Sequence, residues 1–162
     1  MPSQVLSKTA GEVMSAPPVT VSASETLADA ARIMVEKNIG CLPVVNRAGK
    51  LAGVITERTF QSELAGYRPS SAIPSEERVL AQLYISGGSR PEASEAWFER
   101  ARNSLIADAM LADEPIVHEA TPLHEVAATM LKARLSHIVV TRNGEPVGVV
   151  ARHDLLKAFV DA

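Results

Sequence analysis

Aromatic side chains are scarce in this sequence, and reactive ones scarcer. Aromatic residues make up 4% of the chain and there is one cysteine, Cys41. An internal disulfide is therefore excluded, and the interior has to be built from aliphatic side chains and alanine. No apolar run approaches the roughly 18 residues of a membrane span, and Met1-Pro2-Ser3-Gln4 does not open like a secretion signal, so the expected setting is cytoplasmic and away from any membrane. A formal charge of −3 and a pI near 5.8 give no chain-wide basic surface, which argues against nucleic acid as a partner. His118, His124, His137 and His153 have no zinc-ligand spacing with a second cysteine, and no G-x-S-x-G or similar nucleophile motif occurs. Neither catalysis nor a bound metal is expected.

What is present is a repeat. Gly53-Val54-Ile55-Thr56-Glu57-Arg58-Thr59 is echoed by Gly148-Val149-Val150-Ala151-Arg152-His153-Asp154. Met110 follows Met14 by 96 positions, Leu123 follows Leu27 by 96, and Gly148 follows Gly53 by 95. A chain of 162 residues that is 46% hydrophobic and 22% charged has enough apolar material for a core, and the repetition divides it into two small units.

Each unit reads as β-α-β-β-α. In the first, Val19-Thr20-Val21 is β-branched and predicts a strand. Ser22 to Thr26 then offers several helix N-caps, among them a Ser22-x-x-Glu25 pattern. Leu27, Ala30, Ala31, Met34 and Val35 fall at helical spacing, with Asn38 and Gly40 as the stop. Leu42-Pro43-Val44-Val45 predicts a buried strand, and Asn46-Arg47-Ala48-Gly49-Lys50 a turn into Leu51-Ala52-Gly53-Val54-Ile55. The second unit repeats this with Pro115-Ile116-Val117, a Thr121 N-cap followed by Pro122, the stripe Leu123, Val126, Ala127, Met130 and Leu131, and then Ile138-Val139-Val140, Asn143-Gly144 and Val147-Gly148-Val149-Val150. The expected class is α+β, with repeats at 9–64 and 105–162.

The intervening 65–104 match neither repeat. Pro69, Pro74, Gly87, Gly88 and Pro91 divide them into a loop, a helix over 75–85, a turn and a helix over 91–103. Leu80, Leu83 and Tyr84 would dock the first of these helices, and Trp97, Phe98 and Ala101 the second. The sequence Gly87-Gly88-Ser89-Arg90 fits either a helix stop or an anion cradle.

Each repeated heptad runs a strand into a helix N-terminus. Such a junction presents backbone N–H groups and the positive end of a helix dipole, so phosphate is a natural guest. Thr56 fits both an N-cap and a phosphate contact. Asp154 fits both a dipole-favoured first-turn carboxylate and a ligand acceptor. Arg58, and Arg152 with His153, can supply cationic contacts. Cys41 and His137 hold equivalent positions in the two repeats.

Two β-α-β-β-α copies with a Val/Ala-Met opening, a Leu-Pro-Val-Val strand and a glycine-led strand ending in Thr-x-x-(Asp) resemble the CBS domain, named after cystathionine β-synthase. The resemblance covers nearly all of 9–64 and 105–161 and fails in the connector. It implies a tandem pair packed as a pseudo-twofold module, a homodimer, and a stand-alone regulatory protein whose inter-repeat clefts bind AMP, ADP, ATP or S-adenosylmethionine and signal occupancy to a protein partner. The alternative is a ligand-free interaction module. In the family signature G-h-x-[ST]-x-x-[DN] the hydroxyl residue sits near phosphate and the last residue accepts from ribose hydroxyls. The first copy keeps the hydroxyl, Thr56, but has Thr59 in the acceptor place; the second keeps the acceptor, Asp154, but has Ala151 in the hydroxyl place. Leu42 and Pro43 would present backbone to the adenine ring.

Overall fold

The computed structural model describes residues 4–64 and 95–162. A 3-10 turn, Gln4–Ser7, and helix α1, Ala10–Val13, lead in. The first repeat follows as β1 (Val21–Ser22), α2 (Leu27–Lys37), β2 (Cys41–Val45), β3 (Leu51–Thr56) and α3 (Glu57–Leu64). Helices α4 (Glu95–Arg102) and α5 (Ile106–Ala109) precede the second repeat, which is β4 (Ile116–His118), α6 (Leu123–Lys132), β5 (His137–Arg142), β6 (Glu145–Ala151) and α7 (Arg152–Val160). The fold is α+β with the β-α-β-β-α order written twice. The helix expected over 75–85 with Leu80, Leu83 and Tyr84, the breaks at Pro69 and Pro74, the Gly87-Gly88-Ser89-Arg90 segment and the Pro91 helix start lie outside the described residues.

Two three-stranded sheets form, in the orders β1-β2-β3 and β4-β5-β6. The first crossover makes β1 and β2 parallel, Val21 opposite Val44, and the second does the same for β4 and β5, Val117 opposite Val140. Hairpin β5–β6 is antiparallel, with Ile138 opposite Val150 and Val140 opposite Gly148. Its two-residue turn puts Asn143 at φ 52° and Gly144 at φ 76°. Positive φ at both central residues is what a turn matched to strand twist needs, and Asn-Gly reaches it with least strain.

Three local expectations are corrected. The first strand starts at Val21 rather than Val19. Ser22 and Glu25 do pair, the Ser22 amide donating to Glu25 Oε2 at 2.7 Å, but they close a turn ahead of α2. Its cap is Thr26, whose Oγ1 accepts from the Asp29 amide at 3.2 Å while Asp29 Oδ2 accepts from the Thr26 amide at 3.1 Å, a reciprocal pair that satisfies two orphan donors. At α6 the cap position is Pro122, not Thr121. The Thr121 hydroxyl accepts from the His118 amide at 3.0 Å instead, drawn away by the turn that follows β4.

The structure forms two compact units, which exchange the lead-in segments of the two repeats. One takes the described residues of Met1–Val19, Gly49–Leu51 and Pro115–Ala162; the other takes those of Thr20–Ala48 and Ala52–Glu114. In the unit holding β4-β5-β6, the Ala10 amide donates to Thr121 O at 2.8 Å, the Gly11 amide to Glu119 O at 2.8 Å, and Ser15 and Val149 exchange bonds of 2.9 and 3.1 Å. Ala10 joins Val117, Val126, Met130, Ile138, Val140 and Val150 in its core, with Val13 and Met14 packed alongside. In the unit holding β1-β2-β3, the Ile106 amide donates to Glu25 O at 2.8 Å, and Val54 and Leu111 exchange bonds of 3.0 Å each way. Leu27, Ala30, Met34, Leu42, Val44, Ile55 and Ile106 are buried there. Full burial of one such Leu, Ile or Val side chain is worth about 1.5–3 kcal/mol, so each lead-in segment brings its host unit apolar contacts as well as hydrogen bonds.

Candidate functional site

Each closing strand passes directly into its helix, and the two junctions share one backbone device. The first helical amide of α3, at Glu57, donates to Gly40 O at 3.3 Å; that of α7, at Arg152, donates to Ser136 O at 3.1 Å. Both acceptors come from the residue immediately before the middle strand, 96 positions apart. Being main-chain carbonyls, they left no side-chain signal in the sequence.

The third residue after each strand end then reaches back. Thr59 Oγ1 accepts from the Thr56 amide at 3.2 Å, and Asp154 Oδ2 accepts from the Ala151 amide at 2.8 Å. A carboxylate accepting from an amide at a helix start is favoured by charge and by the dipole, and its bond is the shorter. Ala151 has no hydroxyl to complete the reciprocal half, so α7 carries one side of a capping box. Asp154 therefore has a structural duty that consumes one carboxylate oxygen. Its Oδ1 takes no hydrogen bond from the described residues.

Exposure separates the junctions further. Asp154 is half-buried and Arg152 and His153 are exposed, whereas Thr59 is 4% exposed. Thr56 is half-buried and Arg58 exposed. Arg152 extends back along its own unit, its Nε donating to Leu135 O at 3.4 Å, a long bond that leaves most of the guanidinium to solvent. Leu42 and Pro43 are buried in β2, so their side chains are core and only their backbone is left to meet a ligand. Leu42, Pro43, Thr56, Arg58 and Thr59 lie in one unit and Arg152, His153 and Asp154 in the other. At the head of β2, burial and then the Glu114 carboxylate push the Cys41 thiol up to about 12; its counterpart His137 is half-buried.

The glycines that open the heptads have a role that strand propensity does not show. A Cβ on Gly53 would stand 2.8 Å from Met110 Sδ and 3.1 Å from Leu111 O, and one on Gly148 would collide with Met14 Sδ and stand 2.9 Å from Ser15 O. Each glycine is the seat for a methionine from the exchanged lead-in segment.

A pair of β-α-β-β-α repeats, each ending in a glycine-led strand that runs into a capped helix, defines a tandem-repeat α+β module. The CBS domain model matches residues 10–66 and 106–161, and the chain belongs to the CBS domain family. It is 41% identical over 154 residues to the chloroplastic CBS domain-containing protein CBSX1 of Arabidopsis thaliana, an alignment covering 85% of this chain and 57% of that protein. Two longer curated relatives are matched over 22% and 14% of their lengths. Its fold is similar to the CBS domain pair of protein MJ0100 in complex with 5′-methylthioadenosine and S-adenosyl-L-methionine (TM-score 0.65, 22% identity, 95% of this chain and 97% of that one). It is also similar to CBSX2 in complex with AMP (TM-score 0.66, 20% identity, 95% and 97%). No helix among the described residues is long and apolar enough to cross a membrane.

Proposed function

We propose that this chain is a regulatory module, cytoplasmic and without catalysis of its own, that binds an adenosine-containing ligand at the β6–α7 junction and signals occupancy to a protein partner. The observation that carries the reading is the half-exposed Asp154 carboxylate, with one oxygen spent on the Ala151 amide and the other facing no protein donor among the described residues. Two adjacent ribose hydroxyls are donors of the kind that oxygen accepts, and a hydrogen bond to a charged group contributes about 1.5–3 kcal/mol. The His153 and Asp154 amides, with Arg152 and His153 beside them, suit a phosphate. The ligands named for the two similar structures share adenosine, which supports AMP, ADP, ATP and S-adenosylmethionine as the candidates. Thr59, buried and already bonded, makes the first junction the weaker of the two. Binding acts by population shift, stabilising whichever arrangement grips the ligand better.

A homodimer is part of the proposal, and a dimerisation module without ligand is the second reading. Exposed apolar side chains recur at repeat-equivalent positions, Val35 with Leu131 and Leu64 with Phe159, and Val160 beside Phe159 is exposed as well. Apolar surface duplicated in this way suits a twofold interface between two copies of the chain.

Ligand at about 100 times its dissociation constant stabilises by about 2.7 kcal/mol, a melting shift of roughly 5–10 °C for a chain of this size. AMP, ATP or S-adenosylmethionine is expected to give that shift with wild type and with Thr56→Ala, and to give little of it with Asp154→Ala. Asp154→Asn keeps a side-chain oxygen for the Ala151 amide, so loss of the shift there isolates the charge from the cap. A shift that survives Asp154→Asn and Asp154→Ala but not Thr56→Ala reverses the assignment. No shift with any adenine ligand, together with a dimer mass by light scattering, favours the second reading.

A further inference from the structure

The methionines of this chain fall into repeat-related pairs. Four of the five lie among the described residues, Met14 with Met110 and Met34 with Met130, each pair 96 positions apart. Met34 and Met130 are core, 6% and 3% exposed, whereas Met14 and Met110 are half-buried. The other sulfur, on Cys41, is buried, and that burial keeps its thiol protonated, which shields it from oxidants that act on a thiolate. An oxidant arriving from water therefore meets Met14 and Met110 first.

These two methionines hold the same place in their units. Each ends a four-residue helix, the Met14 amide donating to Ala10 O at 2.9 Å and the Met110 amide to Ile106 O at 2.8 Å, with φ and ψ of −63° and 153° against −65° and 152°. Each lays its thioether in the space that a Cβ on the heptad glycine would take. The next residue exchanges two main-chain hydrogen bonds with the residue after that glycine, Ser15 with Val149 and Leu111 with Val54. Val149 and Val54 stand two positions before Ala151 and Thr56, where the strands end. Ser15 O and Leu111 O, which border the seats, are acceptors already engaged by the Val149 and Val54 amides. An oxygen added to either sulfur has no room toward the glycine and meets an acceptor there instead of a donor.

We propose that Met14 and Met110 are paired oxidation sites that act as a latch: a peroxide converts them to sulfoxides, and each sulfoxide leaves its glycine seat and frees the lead-in segment it holds. The sulfur lone pair attacks one oxygen of hydrogen peroxide, the S–O bond forms as the O–O bond breaks, and the displaced hydroxide takes the remaining proton and departs as water. Sulfur is oxidised by two electrons and the peroxide is reduced. A flexible apolar side chain becomes a polar one, and reductases specific for the two sulfoxide epimers reverse the change. The consequence for a ligand, a β6–α7 junction loosened through Val149 and through α1, which packs on α7, rests on the proposed adenosine site; the latch does not.

The test exposes the intact chain to hydrogen peroxide under native conditions and follows the methionines by peptide mass spectrometry and the amides by hydrogen exchange. Met14 and Met110 should oxidise at least about tenfold faster than Met34 and Met130. Exchange at Ser15, Val54, Leu111 and Val149 should then accelerate at least about tenfold, while the central strands β2 and β5 stay protected. Met14→Leu, which keeps the volume without the sulfur, should spare Ser15 and Val149 and leave Leu111 and Val54 responsive; Met110→Leu should do the reverse. Equal oxidation of all four methionines overturns the proposal. So does oxidation of Met14 and Met110 with no change at the four amides, and so does acceleration that extends to β2 and β5, which is global unfolding. The wild-type chain decides these outcomes by itself if a leucine variant fails to fold. AMP titration of the reduced and oxidised chain is a separate arm. No binding to the reduced chain removes the ligand reading and leaves the latch to be decided by exchange; equal binding to both removes the coupling between latch and site.

Discussion

The Met14 side chain occupies the space that a Cβ on Gly148 would take, and Met110 does the same to Gly53. These seats hold the exchanged lead-in segments, and they show why the heptads open on glycine. Adding a methyl group to either seat overpacks it, at a cost of about 1–3 kcal/mol. Gly148→Ala is expected to be the worse of the two, because Ser15 O stands at 2.9 Å, inside the clash range, whereas at Gly53 the backbone atom is Leu111 O at 3.1 Å. Urea unfolding of the two variants checks the order. Met14→Ala combined with Gly148→Ala should show coupling of about 1 kcal/mol or more in a double-mutant cycle; strict additivity would mean that the methionine does not fill that seat.

Acid should destabilise the fold through two carboxylates. Asp29 is held below its ordinary value of 3.8 by the Thr26 amide and hydroxyl and then by Arg32, and Glu119 below 4.5 by its two hydrogen bonds from Arg142. A folded-state value that is depressed means that the unfolded chain takes up protons first. The stabilisation is thus complete above these ordinary values and is lost as pH falls below them. Urea midpoints measured from pH 6 to pH 3 should drop, and Thr26→Ala or Arg142→Gln should each flatten the acid limb. Both groups are half-buried and still open to solvent, so added salt should shrink the Glu119 effect.

Cys41 should ignore thiol reagents in the native state. It is 5% exposed and its thiol is pushed up to about 12, which leaves a thiolate fraction on the order of 10⁻⁴ at pH 8. Labelling by iodoacetamide should follow the unfolding curve in urea. Stoichiometric modification without denaturant would contradict the burial.

Trp97, the only tryptophan, is half-buried with its indole N–H on Glu63 O. Its emission should be blue-shifted from that of free indole in water and should move red together with the loss of helical circular dichroism. Emission already red in native buffer would mean that α4 is undocked in solution.

The architecture was legible in the sequence because it is written in local terms. Period-2 and period-3.6 patterns, the Asn143-Gly144 turn and the positional echo from Met14 to Met110 are properties of neighbours in the chain, and they delivered both β-α-β-β-α units and the two strand-to-helix junctions. The helix caps were less legible. Ser22, Thr26 and Thr121 all carry a suitable hydroxyl, and which one caps a helix depends on where the preceding strand stops pairing.

The candidate site divides in the same way. Its residue types, Thr56 and Thr59 against Asp154, were plain in the heptads, but their environments were not. That Thr59 is buried and that Gly40 and Ser136 carbonyls occupy the first helical amides depend on elements that meet only in the fold, whereas the bond from the Ala151 amide to Asp154 is local, three residues apart, and was hidden by the lack of a hydroxyl at Ala151. The exchange by which residues 4–19 pack with β4-β5-β6 and Ile106–Ala109 with β1-β2-β3 likewise depends on elements that meet only in the fold. Periodicity says which face of an element seeks cover; only the tertiary structure decides which segment supplies it, because burial and the long-range main-chain hydrogen bonds are settled between elements and leave no pattern within either one.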